Sequence, residues 1–365
     1  MLIPYEIDGK VYNMIPCPSG SFIKGSNALQ DDKPLEEKKI EKSFLLGETE
    51  ITQELYQVVM NVENPNKFKD RDKRKNPVEN VSWYDAVMFC NRLSDIFDLD
   101  RYYTITKDGK IIDTIKSKQD YVVEMHEDSK GFRLPTEWEW EYAAKLSLQK
   151  SSPNDKASRS GPNASNRGIV DPLNSPYPWA SSGNENIRYT GNEKGKSKGI
   201  VGMYKANFKN GTGDYMGMSG KANDGAALPS KVNSFNQSPL NIYNIRGNVN
   251  EWVLDLYRPM STIDVDDFNP YRANAVADGD DSTTAIYQTG INTLISNKSR
   301  VYKGGSWKDG LYWLNPGTRR FLDQDKSNNT IGFRCAISAF GMDNTTKPEN
   351  GGGAWNWIKE KFNIN

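Results

Sequence analysis

The twelve residues 241–252 constrain the fold of this chain more than any other stretch. Four of the twelve are asparagine, and apolar or aromatic residues separate them, which is not the composition of a plain strand. Side-chain oxygens of Asn244 and Glu251, with the carbonyls of Gly247 and Val249, would form the oxygen set that Ca²⁺ prefers. A glycine-kinked turn whose asparagines bond their own backbone is the alternative. The stretch lacks the regular Asp spacing of an EF-hand, so its composition favours the turn and leaves the metal site open.

The overall charge narrows the class of partner. The 47 basic and 47 acidic residues cancel, so the sequence predicts no basic face for nucleic acid or for an anionic membrane surface. A hydrophobic content of 36%, together with 30 glycines and 18 prolines, predicts a loop-rich folded domain instead of a helical bundle. The single histidine, His126, excludes catalysis that needs two imidazoles.

Local patterns predict short strands and three helices. Ser82 is a predicted N-cap, and Thr136 with Glu139 forms a predicted capping box. Trp138 and Trp140 lie roughly 200° apart on that third helix, so at most one can be fully buried against the same face. The predicted elements are strands within 11–24 and 38–49, helices over 52–60, from 82 and from 135, and a hairpin within 101–124.

Two segments without periodicity are predicted to be surface insertions into a single domain that spans residues 1–340. The first, 146–200, is rich in Ser, Asn, Gly and Lys. The second, 259–299, carries six aspartates, which favours a solvated face over a weak cation site. The remaining residues, 341–365, are predicted to be a polar tail with a short docking helix at 355–362.

Five separated motifs follow one another along about residues 14–340. They are PSGSFIKGS (18–26), PVENVSWYDA (77–86), GFRLPTEWEWEY (131–142), YNIRGNVNEW (243–252), and GGSW (304–307) with GFR (332–334). Each is weak alone, but in this order they resemble the formylglycine-generating enzyme family, also called the sulfatase-modifying-factor family. The resemblance implies that family's variant of the C-type-lectin-like fold, an α+β domain with little regular secondary structure, long loop insertions and structural calcium.

The calcium ligands implied by the resemblance fall into two sets. A cation that binds only the folded state would stabilise loops that bury little apolar area. The first set is Asn244, Gly247, Val249 and Glu251, and the second is Asn207, Phe208, Asp224 and Ala226, with Asn207 and Asp224 giving side chains and the other two giving backbone oxygens.

The resemblance also pairs Cys90 with Cys335 as a disulfide, which would stabilise the fold by about 4 to 5 kcal/mol in the chain-entropy model. Two buried free thiols are the alternative. Cys17 is left single and is expected in the core.

The copper site of the family's enzymes is expected to be missing. Those enzymes hold copper with two cysteines five residues apart just after Gly-Gly-Ser, because a thiolate pair suits Cu(I). Asp309 and Leu314 stand at those positions, so we expect no copper and no oxidase chemistry. The related non-haem iron enzymes need several histidines, which His126 alone cannot supply. A candidate pocket near this position comprises Trp307, Asp309, Tyr312, Trp313, Arg319 and Arg320.

Segments 208–223, 251–272 and 302–321 look similar to the gliding-motility lipoproteins of the GldJ and GldK (PorK) group. That resemblance implies a non-catalytic structural component of the gliding and type IX secretion machinery, with other proteins of that machinery as partners. It also implies a position at the periplasmic face of the outer membrane. Attachment would be peripheral, through an N-terminal lipid anchor, and the chain shows no lipobox cysteine to carry that anchor.

Two other classes of function stay open. One is a C-type-lectin-like ligand-binding protein of the kind that retroelements diversify after Gly-Gly-Ser-Trp. Those diversified segments are rich in asparagine, whereas residues 308–330 are rich in aromatic and arginine residues, which disfavours this class. The other is an enzyme of unknown chemistry that uses the candidate pocket.

Overall fold

The computed structural model describes residues 2–25, 35–68, 74–116, 119–149, 203–209, 226–235, 240–257 and 298–338. The strands before the second helix are β1 Ile3–Ile7, β2 Lys10–Cys17, β3 Gly20–Lys24, β4 Glu36–Ile40 and β5 Phe44–Gly47. The later strands are β6 Tyr103–Lys107, β7 Lys110–Ile111, β8 Val122–Met125, β9 Phe132–Arg133, β10 Asn250–Leu256, β11 Ser299–Lys303, β12 Arg320–Asp323, β13 Ile331–Gly332 and β14 Ala336–Ser338. The helices are α1 Gln53–Met60, α2 Trp83–Ile96 and α3 Glu137–Gln149, with a 3-10 helix at Leu311–Leu314.

The strands form two larger and two smaller sheets. One larger sheet has the order β1-β2-β5-β14-β9, and the other has the order β12-β11-β10-β13. The smaller sheets are β3-β4 and β7-β6-β8. Pairing is antiparallel except between β10 and β13. Because β14 pairs with both β5 and β9, the last strand of the described chain lies inside a sheet formed by strands from the first half of the sequence. This is the mixed α+β architecture that the resemblance predicts.

The helix caps confirm the local predictions. The Thr52 side chain caps α1, and Ser82 caps α2 in a reciprocal box with Asp85. At α3 the Thr136 amide donates to Glu139 Oε2 over 2.8 Å, and the Glu139 amide donates back to Thr136 Oγ1 over 3.1 Å. These contacts satisfy backbone N–H groups that a helix start leaves without partners.

Two predicted boundaries were wrong, and one hairpin is confirmed. The strand predicted within 38–49 is two strands, β4 and β5, which belong to different sheets. The hairpin predicted within 101–124 is present as the antiparallel pair β6 and β8, and β7 joins β6 as a third strand. The helix α3 runs to Gln149, so the first residues of the predicted insertion are helical, because Leu146 still packs against the core. Most of both insertions, and the whole tail with its predicted docking helix, lie outside the described residues.

Two reciprocal tryptophan contacts join the start of α2 to β10. Trp83 Nε1 donates to the Val253 carbonyl over 2.9 Å, and Trp252 Nε1 donates to the Val81 carbonyl over 3.0 Å. Trp140 on α3 is fully buried and Trp138 only partly, as the helical spacing predicts. These contacts fix β10, which carries Glu251, at the centre of the domain. Within the described part of the chain, no helix has both the length and the hydropathy to span a membrane.

Candidate functional site

The loop that leads into β10 needs a left-handed backbone at several positions. Asn244, Gly247 and Asn248 have φ of 46°, 84° and 65°. A Cβ on Gly247 would lie 2.5 Å from the carbonyl oxygen of Asn207, so glycine is required there for space as well as for conformation. The Gly247 amide donates to the Gly304 carbonyl over 2.8 Å. The loop is therefore held between segments 203–209 and 304–309.

The asparagine side chains of this loop bond distant segments. Asn248 Oδ1 accepts from the Ser230 amide over 2.9 Å and from Asn207 Nδ2 over 3.1 Å. Asn248 Nδ2 donates to Glu50 Oε1 over 2.9 Å. The turn interpretation, in which the asparagines would bond their own backbone, is therefore wrong for Asn248. Its amide joins three segments that are far apart in sequence.

Glu251 lies in a buried cluster with Glu50 and Arg334, called the central ion-pair cluster below. Arg334 donates from Nη2 to Glu251 Oε1 and from Nε to Glu251 Oε2, both over 2.6 Å. Trp140 Nε1 donates to Glu251 Oε2 over 2.8 Å. Burial acts to lower the pKa of Arg334, but the Glu251 carboxylate outweighs it and the pKa is raised. The guanidinium therefore stays charged in the core.

The third member, Glu50, lacks a bidentate partner of this kind. Its two oxygens accept from the amides of Asn248 and Asn244, the second over 3.4 Å. Burial raises the pKa of Glu50 to about 8, although the charge of Arg334 opposes the shift. One guanidinium thus lies near two buried carboxyl groups.

The structure gives the side chains of the first predicted calcium set other partners. Both carboxylate oxygens of Glu251 are bonded to Arg334 and Trp140, and Asn244 Nδ2 donates to the Val232 carbonyl over 3.0 Å. A positive charge already lies against Glu251. Calcium at Asn244, Gly247, Val249 and Glu251 therefore stays a prediction that competes with an internal ion pair.

The second predicted set fits a hard cation better. Asn207 is 1% exposed, and its Oδ1 has no hydrogen-bond partner, while its Nδ2 donates to the Leu228 carbonyl over 3.0 Å. A buried acceptor without a partner calls for an ion or a water, and oxygen ligands suit Ca²⁺. Phe208 is buried beside it, and Ala226 is only partly exposed. Asp224 lies outside the described residues. Among the described residues, no group of three or more His, Cys, Asp or Glu could hold a metal.

Asp309, at the first copper-ligand position, is held by four polar contacts. Its Oδ1 and Oδ2 accept from Arg320 over 2.7 and 2.8 Å. Oδ2 also accepts from Ser306 Oγ over 2.5 Å and from Asn250 Nδ2 over 3.0 Å. Burial raises the pKa of Asp309, but the bonds from Arg320 and the charge of Arg320 outweigh it, so the pKa is lowered. These four residues, Asn250, Ser306, Asp309 and Arg320, are the Asp309 cluster.

Leu314, at the second copper-ligand position, is fully buried. It ends the 3-10 helix and packs in a small apolar cluster with Tyr204, Ala206 and Phe208. The two positions are therefore filled by a carboxylate in an ion pair and by an aliphatic core residue. Neither offers a soft ligand for Cu(I).

The structure divides the predicted pocket. Arg320 remains near Asp309, with its guanidinium carbon 4.4 Å from the centroid of the Trp313 ring. Arg319 turns the other way and pairs with buried Glu137 on α3, donating from Nη2 over 2.8 Å and also from Nε. Neighbouring side chains on an extended segment point to opposite faces, which explains the division.

The two remaining aromatic residues of the predicted pocket differ in exposure. The Trp307 ring is buried edge-on against Phe68, with centroids 5.6 Å apart. The Tyr312 ring is exposed and lies 5.0 Å from Trp313. The predicted pocket is thus a smaller group, Asp309, Trp313 and Arg320, with Tyr312 at its rim.

The predicted disulfide partners are neighbours in the core. Their Sγ atoms are 3.7 Å apart, and both cysteines are buried free thiols, whereas a disulfide would place them about 2.05 Å apart. The structure thus matches the alternative for Cys90 and Cys335, and the disulfide stays a prediction. Cys17 is buried, as expected.

The sequence did not single out several residues of these clusters. Arg334 was visible as the last residue of the GFR motif, and Asn248 and Asn250 lie inside the asparagine-rich stretch. A buried carboxylate needs a nearby positive charge, which could have directed attention to Arg334. Glu50 had no comparable signal.

The sequence is similar to one domain family over most of its length and to curated proteins over parts of it. Residues 4–339 match the family model described as the sulfatase-modifying factor enzyme 1-like domain. The chain is 42% identical over 104 residues to "Chaperone protein LppX" of Paenibacillus barcinonensis, covering 28% of this chain and 35% of the relative. It is 25% identical over 267 residues to "Formylglycine-generating enzyme" of Mus musculus, covering 72% and 45%. The chain therefore spans less than half the length of these curated relatives.

Two solved structures share the fold. "Treponema denticola variable protein 1" superposes with a TM-score of 0.58 at 24% identity, over 92% of this chain and 98% of that one. PvdO from Pseudomonas aeruginosa superposes with a TM-score of 0.51 at 17% identity, over 92% and 97%. At these identities the similarity shows a common fold of the formylglycine-generating and C-type-lectin-like kind.

Proposed function

Because this chain belongs to the sulfatase-modifying factor enzyme 1-like domain family, we propose that it is a catalytically inert member that serves as a structural component of gliding-motility and type IX secretion machinery. The observation that carries this proposal is the state of the two copper-ligand positions. Copper binding there would require a soft donor, the loss of the Asp309–Arg320 ion pair and the opening of the apolar cluster around Leu314.

The assignment to secretion machinery is supported by the similarity of segments 208–223, 251–272 and 302–321 to the gliding-motility lipoproteins. Under this proposal, the protein lies at the periplasmic face of the outer membrane and is attached peripherally through an N-terminal lipid anchor. Other proteins of the machinery are its partners. A domain fixed by internal ion pairs suits a scaffold, because binding residues commonly lie on loops that a rigid core positions.

A second candidate function is a ligand-binding module of the C-type-lectin-like kind. The fold similarity to a protein titled a variable protein favours it, and so does the exposed Tyr312 ring beside Trp313. The relative named a chaperone also points to a use of such domains in protein contacts. In this case the binding surface would lie at the rim of the Asp309 cluster.

Cross-linking and pulldown from native membranes separates these functions. Wild type is expected to recover other subunits of the secretion machinery, and Tyr312→Ala is expected to recover the same subunits. Failure to recover them from intact membranes would contradict the scaffold proposal. Capture by wild type of a ligand that is not a machinery subunit, with loss of that ligand in Tyr312→Ala, would support the ligand-binding candidate.

Catalytic inertness is tested separately with copper and a cysteine-containing sulfatase peptide. Wild type is expected to bind no Cu(I) tightly and to form no aldehyde. The double variant Asp309→Cys/Leu314→Cys supplies a positive control for Cu(I) binding at these positions, if it folds. Peptide oxidation by wild type would show that the protein is an enzyme.

We also propose structural calcium, with one ion held by Asn207, Phe208, Asp224 and Ala226. The ion would satisfy the unpartnered Oδ1 of Asn207 and order the loops around it. Calcium is expected to raise the unfolding temperature of wild type and to raise that of Asn207→Ala less. If a chelator leaves the wild-type unfolding temperature unchanged, the protein holds no structural calcium.

A further inference from the structure

Within the described residues, one buried arginine of the loop before β10 lacks a counter-charge. Arg246 is 8% exposed and directly precedes Gly247. Its Nη2 donates to the Ala144 carbonyl of α3 over 2.8 Å, and its Nε is buried without a hydrogen-bond partner. A guanidinium carries five N–H donors, so most of the binding capacity of Arg246 is unused.

The other buried arginines of the described chain have a carboxylate or an aromatic ring against them. Arg300 bonds a side-chain amide and a backbone carbonyl, and its guanidinium carbon lies 3.8 Å from the centroid of the Trp83 ring. Arg246 makes neither kind of contact with the described residues. The remaining three each hold a carboxylate with two N–H groups, namely Arg133 with Glu139, Arg319 with Glu137 and Arg334 with Glu251.

The charges close to Arg246 do not compensate it. Burial lowers the pKa of Lys145, the Glu141 carboxylate opposes this shift, and the positive charges of Lys303 and Arg246 add to it. Glu141 is already bonded to Lys145 over 2.6 Å and to Lys303 over 3.1 Å. Lys145, Lys303 and Arg246 thus carry three positive charges, and the carboxylate that the two lysines share carries one negative charge.

In the described segments, no negative charge offsets the burial of Arg246. Burial lowers the pKa of Arg246 to about 9, whereas the pKa of Arg334 is raised because Glu251 outweighs its burial. The Arg246 guanidinium is still charged at neutral pH. A buried charge without a partner is costly, and a well-packed apolar side chain would avoid that cost. Packing alone therefore does not account for an arginine at this position.

We propose that Arg246 is a binding residue for a small carboxylate taken up from solution, with Nε and a neighbouring N–H of the guanidinium donating to its two oxygens. The parallel N–H groups of a guanidinium match the two oxygens of a carboxylate in one plane. Arg319 and Arg334 bind their carboxylates in this way, each through Nε and Nη2. The bound acid would supply the negative charge that the described residues around Arg246 do not.

The surroundings favour a small carboxylate over other anions. Because Nε is closed to solvent, a ligand reaches it only after neighbouring side chains move apart, which disfavours bulky acids. A phosphate calls for more donors than one guanidinium offers, and the three N–H groups of Lys145 already donate to the Ile23 and Gly25 carbonyls and to Glu141. Chloride is a single atom and cannot match two parallel N–H groups. A monocarboxylate fits these donors.

Binding would act on the loop that leads into β10. Arg246 joins this loop to Ala144 of α3, and the amide of the next residue, Gly247, donates to the Gly304 carbonyl over 2.8 Å. A ligand that binds only the folded state stabilises that state by mass action. The site uses no residue of the Asp309 cluster, on which the proposed function depends.

Thermal unfolding of the full chain in sodium acetate and in sodium chloride of equal ionic strength tests the site. We expect acetate to raise the unfolding temperature of wild type relative to chloride, and to raise that of Arg246→Met much less. Methionine keeps an unbranched stem and removes every donor. The matched control is Arg92→Met, which should respond to acetate as wild type does. Arg92 is partly exposed and donates to the Met60 and Asp113 carbonyls over 2.9 and 3.1 Å.

Carbon NMR of acetate labelled at the carboxyl carbon measures binding without reference to stability. The signal should broaden in the presence of wild type. The apparent affinity should be at least about tenfold weaker for Arg246→Met, since charge-assisted hydrogen bonds are lost. Arg246→Lys keeps the charge but not the parallel N–H pair, so it should bind with intermediate affinity. If Arg246→Met does not fold, the comparison of Arg246→Lys with Arg92→Met takes its place.

Three outcomes would overturn the proposal. If acetate stabilises wild type and Arg246→Met equally, it acts on the general surface. If phosphate or chloride stabilises wild type more than acetate does, and only with Arg246 present, the ligand is not a carboxylate. If acetate does not bind, no small carboxylate is held there. Loss in Arg246→Met of subunits that wild type recovers from native membranes would then assign Arg246 to an acidic group of a partner protein. Recovery of those subunits by wild type reports on the proposed function, which the acetate measurements leave untouched.

Discussion

Removal of the charge on Glu251 should destabilise the protein strongly, because it takes away the carboxylate to which the buried Arg334 guanidinium is hydrogen-bonded. Glu251 and Arg334 are 1% and 0% exposed, and two bonds of 2.6 Å join them. Breaking a buried pair by removing one partner costs about 3–5 kcal/mol. For Glu251→Gln, which keeps the size of the side chain, we therefore expect the free energy of unfolding to fall by about 3 kcal/mol or more. This is a large share of the roughly 5–15 kcal/mol that holds a domain folded.

An exposed pair with the same geometry supplies the control. Arg101 donates to both oxygens of Asp95 over 2.8 Å, and the two side chains are 38% and 43% exposed. Solvent-exposed pairs contribute about 0–1 kcal/mol. The free energy of unfolding of Asp95→Asn should therefore fall by less than about 1 kcal/mol. Urea unfolding of both variants, followed by two probes to check two-state behaviour, measures the difference.

Equal losses in the two variants would refute the reasoning from burial. The same experiment, repeated with calcium and with a chelator, separates the ion pair from a metal at Glu251. A loss of stability alone does not identify a calcium ligand, since Arg334 already accounts for it. If calcium binds at Glu251, the variant should lose stability and also respond less than wild type to the chelator.

The other predictions concern strain, oxidation and pH. Gly247→Ala should lower the free energy of unfolding by about 1–3 kcal/mol, because φ is 84° and a Cβ would lie 2.5 Å from a backbone oxygen. Gly310→Ala is the control in thermal unfolding, because a Cβ there would meet nothing within 4 Å. A mild oxidant should join Cys90 to Cys335, detected by loss of thiol labelling, and stabilise the protein by about 4 to 5 kcal/mol. Burial raises the pKa of Asp255 to about 6, so wild type should lose more stability than Asp255→Asn as the pH rises from about 4 to 6, while the raised pKa of Glu50 acts equally on both proteins.

Local order was predictable because its causes lie within a few residues. The caps at Thr52, Ser82 and Thr136 and the single buried tryptophan of α3 follow from spacing alone. The five motifs predicted the fold, since their order along the chain is itself a property of the sequence. The replacements at Asp309 and Leu314 were visible for the same reason.

The partners of the buried charges depend on the tertiary structure. Arg334 lies 83 residues from Glu251 and meets it only because β10 and β13 pair in parallel. The adjacent Arg319 and Arg320 reach different carboxylates because an extended backbone sends them to opposite faces. The sequence thus determined which oxygen-rich residues the loop before β10 contains. Only folding decided that Glu251 faces a guanidinium, because the energy of a buried charge depends on neighbours that the chain brings together from far apart.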